Sequence, residues 1–178
     1  MAVEKGLVHI YTGEGKGKTS ASLGLAIRAA GHGMKVLFVQ FFKLEGDPSG
    51  EKDIIREDIP AIELIRSEVR HPIFTGKDTD IEKVRASVRG LFERASEKMG
   101  DDFDLLVLDE LMGAVNGGFI SVEEVLDLLD ARPECLEVVL TGRDAPVELV
   151  KRADYVTEML KIKHPYDGGV KARKGIEY

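Results

Sequence analysis

Side-chain amides are almost missing from this chain: among 178 residues, Gln40 and Asn116 stand alone. Tryptophan is absent and there is a single cysteine, Cys135. One cysteine excludes an internal disulfide framework and any Cys-rich zinc site. No apolar run approaches the roughly 18 residues that cross a bilayer, and the first residues carry no signal-peptide h-region. Internal repeats, low-complexity tracts and Pro/Gly/Ser linkers are also missing. These absences predict one soluble cytoplasmic domain spanning 1–178. Few amides with abundant charge is the pattern of heat-adapted proteins.

What is present is ordinary for a folded domain. Hydrophobic residues make up 43% and charged residues 32%, which excludes a disordered chain. Lys plus Arg number 25 against 32 Asp plus Glu, for a net charge of -7. That balance disfavours a general nucleic-acid coat, though a basic strip can hide in an acidic total.

Short apolar runs alternate with longer amphipathic ones. Leu7 to Tyr11, Lys35 to Phe41, Ile62 to Arg66, Leu105 to Leu108 and Val138 to Leu140 read as strands buried on both faces, with Tyr155 to Leu160 a weaker sixth. Lys18 to Ala30, Asp80 to Lys98, Ser121 to Leu129 and Pro146 to Ala153 read as helices. Ser121 with Glu124 has capping-box spacing, and Pro146 suits a first helical position. The alternation predicts an α/β fold, a mostly parallel sheet with helices on both faces. Phe42 to Ile59 and the tail from Lys161 read as long loops, the kind that usually carry function.

The first strand runs into Thr12-Gly13-Glu14-Gly15-Lys16-Gly17-Lys18-Thr19-Ser20, and a helical pattern follows at once. That is the context of a P-loop: glycines let backbone N–H groups curl around phosphate, and the helix start adds partial positive charge. Lys18 would reach the terminal phosphates, and the Thr19 hydroxyl would bind Mg²⁺. The spacing is short by one. Only Glu14, Gly15 and Lys16 separate Gly13 from Gly17, and Thr12 holds the usual first-glycine place.

Leu105 to Glu110 is an apolar strand ending in two carboxylates, as a Walker B segment does, and one carboxylate there can complete a Mg²⁺ shell. Spacing leaves open whether Asp109 or Glu110 does so. A third strand ends in Thr141-Gly142-Arg143-Asp144, which aims Arg143 at the same crevice beyond the strand ends; the plain alternative is a surface pair with Asp144. Arg28, on the helix after the loop, is open between a phosphate contact and a solvated helix face.

Together these residues resemble the ATP:corrinoid adenosyltransferases. The resemblance rests on the short loop Gly13 to Thr19, Arg28-Ala29-Ala30-Gly31-His32-Gly33, Val39-Gln40-Phe41, Val107 to Leu111, Asn116, Ala131-Arg132-Pro133 and Thr141-Gly142-Arg143. It continues through Ala153-Asp154, Thr157-Glu158-Met159 and the tail His164 to Tyr178, covering nearly the whole chain from Gly6 in order. It implies a P-loop α/β fold related to RecA. The implied reaction moves the 5′-deoxyadenosyl group of ATP to the Co(I) of a reduced corrinoid and releases triphosphate. Mg²⁺ or Mn²⁺, a homodimer and an electron-transfer flavoprotein as reductant come with it.

Carried over residue by residue, the resemblance gives Gly13, Glu14, Gly15, Lys16, Gly17, Lys18, Thr19 and Ser20, with Arg143, to the nucleotide. Thr19 and Glu110 would bind metal, and Lys18, Arg28 and Glu110 would be catalytic. It also fits the lack of an evident protein nucleophile, since the cobalt is the nucleophile and the protein supplies position and charge. Two departures stand out. Few residues precede Gly6, where family members carry a segment that helps cover a partner's site, and the Phe-Thr-Trp stretch of some members is replaced by Ser67 to Gly76. Phe74 is the expected substitute there, and His71 reads as a surface residue rather than a cobalt ligand. The competing reading is a RecA-like ATPase or nucleotide kinase using Asp109 and Glu110 around water or an acceptor; a nucleotide-binding regulator without turnover is a third.

Overall fold

The computed structural model describes residues 4–70, 80–100 and 102–177; the readings at His71, Phe74 and Tyr178 lie outside them. Six strands form one sheet: β1 (Val8–Thr12), β2 (Val36–Leu44), β3 (Ile62–Ser67), β4 (Leu105–Asp109), β5 (Glu137–Thr141) and β6 (Tyr155–Glu158). Their order is β3-β2-β4-β5-β1-β6, and every pairing is parallel. The helices are α1 (Lys18–Gly31), α2 (Gly50–Asp58), α3 (Ile81–Lys98), α4 (Leu111–Asn116), α5 (Val122–Ala131) and α6 (Val147–Arg152), with a 3₁₀ turn at Pro165–Gly168.

Alternation along each strand sends side chains to two cores. Leu106 and Leu108 join Val84, Val88 and Leu91 of α3 and Val125 and Leu129 of α5 on one face. Leu105 and Val107 join Ala26 and Ala29 of α1 and Ile55 of α2 on the other. The central strand β4 is therefore apolar at each position from Leu105 to Leu108, and each fully buried Leu or Ile contributes roughly 1.5–3 kcal/mol. The doubly covered parallel sheet expected from the sequence is the fold observed.

One cap signal is met and one is shifted: Pro146, read as a first helical residue, stands at the N-cap of α6 with non-helical ψ. Ser121 and Glu124 form the capping box at α5, and Asp80 caps α3 through the Lys83 N–H. Two further expectations are corrected. Phe42 to Ile59 is not a loop: β2 runs on to Leu44, and 50–58 is α2. That helix buries only Ile55, so its sequence shows charge rather than an apolar stripe. The sixth strand ends at Glu158 rather than Leu160, because the Met159 carbonyl is turned onto the glycine-rich loop at Gly15.

Candidate active site

The carboxyl ends of the strands carry the site, as in other open parallel sheets. Between β1 and α1 the chain turns through Gly13 (φ 95°) and Gly17 (φ 123°), left-handed conformations that suit glycine. Gly17 caps α1 with no side-chain bond, so the first N–H groups of the helix are left for a ligand. Lys18 Nζ folds back onto the carbonyls of Gly13 (2.6 Å) and Gly15 (2.9 Å). Burial lowers the Lys18 pKa, with the neighbouring Glu110 carboxylate opposing it.

Asp109 is the centre of the second half. It is 0% exposed and accepts from three side chains: Thr19 Oγ1 at 2.9 Å, Thr141 Oγ1 at 2.8 Å and Gln40 Nε2 at 3.2 Å. Thr141 in turn accepts the Glu110 N–H at 2.9 Å. A buried carboxylate with this many donors stays fixed in place. Because the Thr19 hydroxyl proton is committed to Asp109, its lone pairs turn outward. Glu110 takes a left-handed conformation (φ 62°) at the head of α4. Burial and then the adjoining Asp109 raise its pKa, against the pull of Lys18 and Arg143.

Strain gathers at this edge. The non-glycine residues with positive φ among the described residues are Phe42, Glu110 and Asp144, the first near the end of β2 and the others just beyond the ends of β4 and β5. Each such conformation costs on the order of 1–3 kcal/mol and persists only where neighbours enforce it. Asn116 is one enforcer: its Nδ2 donates to the carbonyls of Arg143 (3.0 Å) and Asp144 (3.2 Å). Arg143 then reaches back over the loop to Glu14 at 3.0 Å.

The tail forms the other wall. Met159 N–H donates to Thr12 O (2.8 Å), and its carbonyl accepts the Gly15 N–H (2.6 Å). A Cβ on Gly15 would lie 2.6 Å from that carbonyl oxygen, so tail packing demands this glycine independently of phosphate. Lys16 Nζ donates to Ile176 O at 3.0 Å and sits 3.6 Å from Glu177. Between loop and tail lies a cavity of about 460 Å³ whose lining includes Lys16, Lys161, Lys163, Lys171 and Arg173 against one carboxylate, Glu177.

Residues 4–178 match the family model described as "ATP:corrinoid adenosyltransferase BtuR/CobO/CobP". The chain belongs to that family. A corrinoid adenosyltransferase of Escherichia coli is 36% identical over 176 residues, covering 98% of this chain and 87% of its own. One from Pseudomonas aeruginosa is 38% identical over 98% and 85%, and one from a Sinorhizobium species 37% over 98% and 81%. The RadB recombinase crystal structure covers 90% of this chain and 77% of its own at 17% identity and a TM-score of 0.48, too distant a likeness to bear on function. Family membership makes the protein a transferase acting on corrinoids with ATP.

The structure brings together most of the family residues expected from the sequence. Gly13 to Ser20, Glu110 and Arg143 border one crevice. Arg28 does not join them. It sits ten residues after Lys18, about 15 Å along α1 at 1.5 Å per residue. There it lines a separate cavity with Leu7, Leu105 and Glu137, at the amino ends of the strands. Of the two carboxylates left open by spacing, Asp109 is the one bonded to Thr19. Sequence reasoning assigned no role to Gln40, Lys43, Thr141 or Asn116, yet the chain's two amides both hold this site.

Proposed function

We propose that this chain transfers the 5′-deoxyadenosyl group of ATP to the Co(I) of a reduced corrinoid, in making or salvaging the adenosylated cofactor. The cobalt electron pair forms a bond to C5′, the C5′–O bond breaks, and its electrons leave on triphosphate. The observation that supports this most is the convergence of Lys18, Arg143 and the Thr19–Asp109 pair at the carboxyl ends of the strands, all within electrostatic reach of one another. Charge appears on the triphosphate oxygen as the bond breaks, so fixed cations there act on the transition state. Lys18 leaves the Gly13 and Gly15 carbonyls to hold that oxygen chain, and Arg143 exchanges Glu14 for it.

The donors suit a hard dication, Mg²⁺ or Mn²⁺, held by the Thr19 hydroxyl and the Glu110 carboxylate with Asp109 orienting Thr19. Such an ion supplies charge neutralisation to the departing triphosphate. Among the described residues no group of three or more His, Cys, Asp or Glu could hold a metal unaided, which suits an ion whose remaining ligands are phosphate oxygens. Arg28 is left with a role outside the crevice within one chain. A homodimer fits the exposed edge strand β6 and the apolar Leu160 and Ile162 beyond it. A cytoplasmic setting with a flavoprotein reductant completes the reading, and no helix of the described residues is long and apolar enough to cross a membrane.

Incubation with ATP, Mg²⁺ and chemically reduced cob(I)alamin is expected to give a light-sensitive cobalt–carbon bond and one triphosphate per bond formed. Rapid orthophosphate release without a corrinoid spectral change would overturn the proposal in favour of an ATPase. The Glu110→Gln variant separates the same two outcomes: a transferase loses metal-dependent transfer, an ATPase stops hydrolysing and traps ATP.

A further inference from the structure

Strand β2 breaks its alternation near its end. Its register against β3 shifts between Gln40 and Leu44, and Phe42 within that interval is left-handed at φ 58°. Consecutive residues Phe41 and Phe42 consequently bury in the same core, which an unbroken strand would not allow. The next residue, Lys43, is thereby returned to the face that Gln40 occupies. There its Nζ lies 3.9 Å from Asp109 Oδ2 and 3.3 Å from Glu51 Oε1. A non-glycine left-handed residue in a buried strand is costly, and such bulges recur beside active sites, where they re-aim a side chain.

Glu51, in the first turn of α2, holds the ammonium in place. Burial pushes the Glu51 carboxyl up, but Lys43, a backbone hydrogen bond and Arg66 together outweigh this and keep it below its usual range. Lys43 also acts electrostatically on Glu110. The lysine therefore faces both carboxylates at the end of β4, from the side opposite Lys18 and Arg143.

We propose that Lys43 is a positioning residue of the transfer site, turned onto Asp109 by the left-handed Phe42 so that the metal-side carboxylates carry a fixed counter-charge before any ligand arrives. This rests on the reading of the crevice as a metal–triphosphate site. Two consequences follow from Coulomb's law. A bare dication meets a carboxylate pair already partly neutralised, so it binds poorly alone. A polyphosphate meets one more cation, so it binds better. Together these make metal and nucleotide enter as a complex, the order that protects Thr19 and Glu110 from idle metal occupancy.

The test uses two probes on the intact protein, Mn²⁺ alone and inorganic tripolyphosphate alone, each by titration calorimetry. In the Lys43→Met variant Mn²⁺ is expected to bind on the order of tenfold more tightly and tripolyphosphate on the order of tenfold more weakly than in wild type. Lys43→Arg keeps the charge and is expected to match wild type on both. Lys43→Gln serves if the methionine variant does not fold. A neutral variant that binds both probes as wild type does, or both more weakly, overturns the inference while leaving the transfer reading intact. Wild-type protein that binds no tripolyphosphate overturns both.

Discussion

Two walls border the glycine-rich loop between β1 and α1, and they are built from opposite materials. On one side stands the Asp109 network, where Asp109, Gln40 and Thr141 are each 0% exposed and every side-chain donor is short and fixed. On the other lies the tail, where Lys161 and Arg173, with Lys16 of the loop facing them, carry exposed, surface-paired charge. Buried groups in low dielectric gain or lose much with small displacements, whereas exposed pairs contribute little singly and act through their sum. The first wall suits placement of reacting atoms. The second suits capture of a large anionic or polar ligand whose outline varies.

That contrast can be broken by substitution, beginning with the loop both walls share. Lys18→Ala is expected to lower single-turnover transfer on the order of 10²–10³-fold, as loss of a preorganised charge on a leaving group does. Stopped-flow absorbance of the corrinoid would measure it. Asp109→Asn places an amide among donors that need an acceptor, and is expected to cost roughly 1–3 kcal/mol of stability, read by urea unfolding, with little dependence on salt. Gly15→Ala drives a methyl into the Met159 and Leu160 carbonyls, 2.6 and 2.8 Å away, and is expected to cost a similar amount, roughly 1–3 kcal/mol. It tests whether the walls are coupled: transfer and tail protection from protease would fall together.

Smaller effects belong to the tail. Lys16→Ala should weaken nucleotide binding only a few-fold, and that loss should fade as ionic strength rises from about 0.05 to 0.5 M. The pH response has a defined sign. Hydrogen bonds and charge from Arg173 hold the Glu177 carboxyl well below its usual value of 4.5, at about 2. A depressed carboxylate favours the closed tail fully above 4.5, and that contribution is lost as pH falls towards about 2. Pepsin cleavage within 161–177 is accordingly expected to accelerate only below about pH 4.5, and Glu177→Gln to remove that step.

Much of this was legible in the sequence for a local reason. Strand–helix alternation, the capping box at Ser121 and the glycine-rich turn before Lys18 are all written in neighbouring residues. The short loop is one residue under the usual spacing, and Thr12 in the first-glycine place takes a role of its own, accepting the Ala145 N–H. The helix at 50–58 escaped because one buried isoleucine leaves no apolar period. Arg28 was drawn to the phosphate by resemblance, while α1 carries it away to the amino ends of the strands.

The sequence by itself determined the fold class, the glycine-rich turn between first strand and first helix, and a pair of carboxylates after an apolar strand, because period and spacing are properties of adjacent residues. Only the tertiary structure decided which carboxylate meets Thr19, and that Gln40 and Asn116 both serve the site. It alone returned Lys43 to the Asp109 face through one left-handed residue. Those outcomes depend on register between strands distant in the chain and on backbone strain that neighbours enforce, neither of which any local pattern encodes.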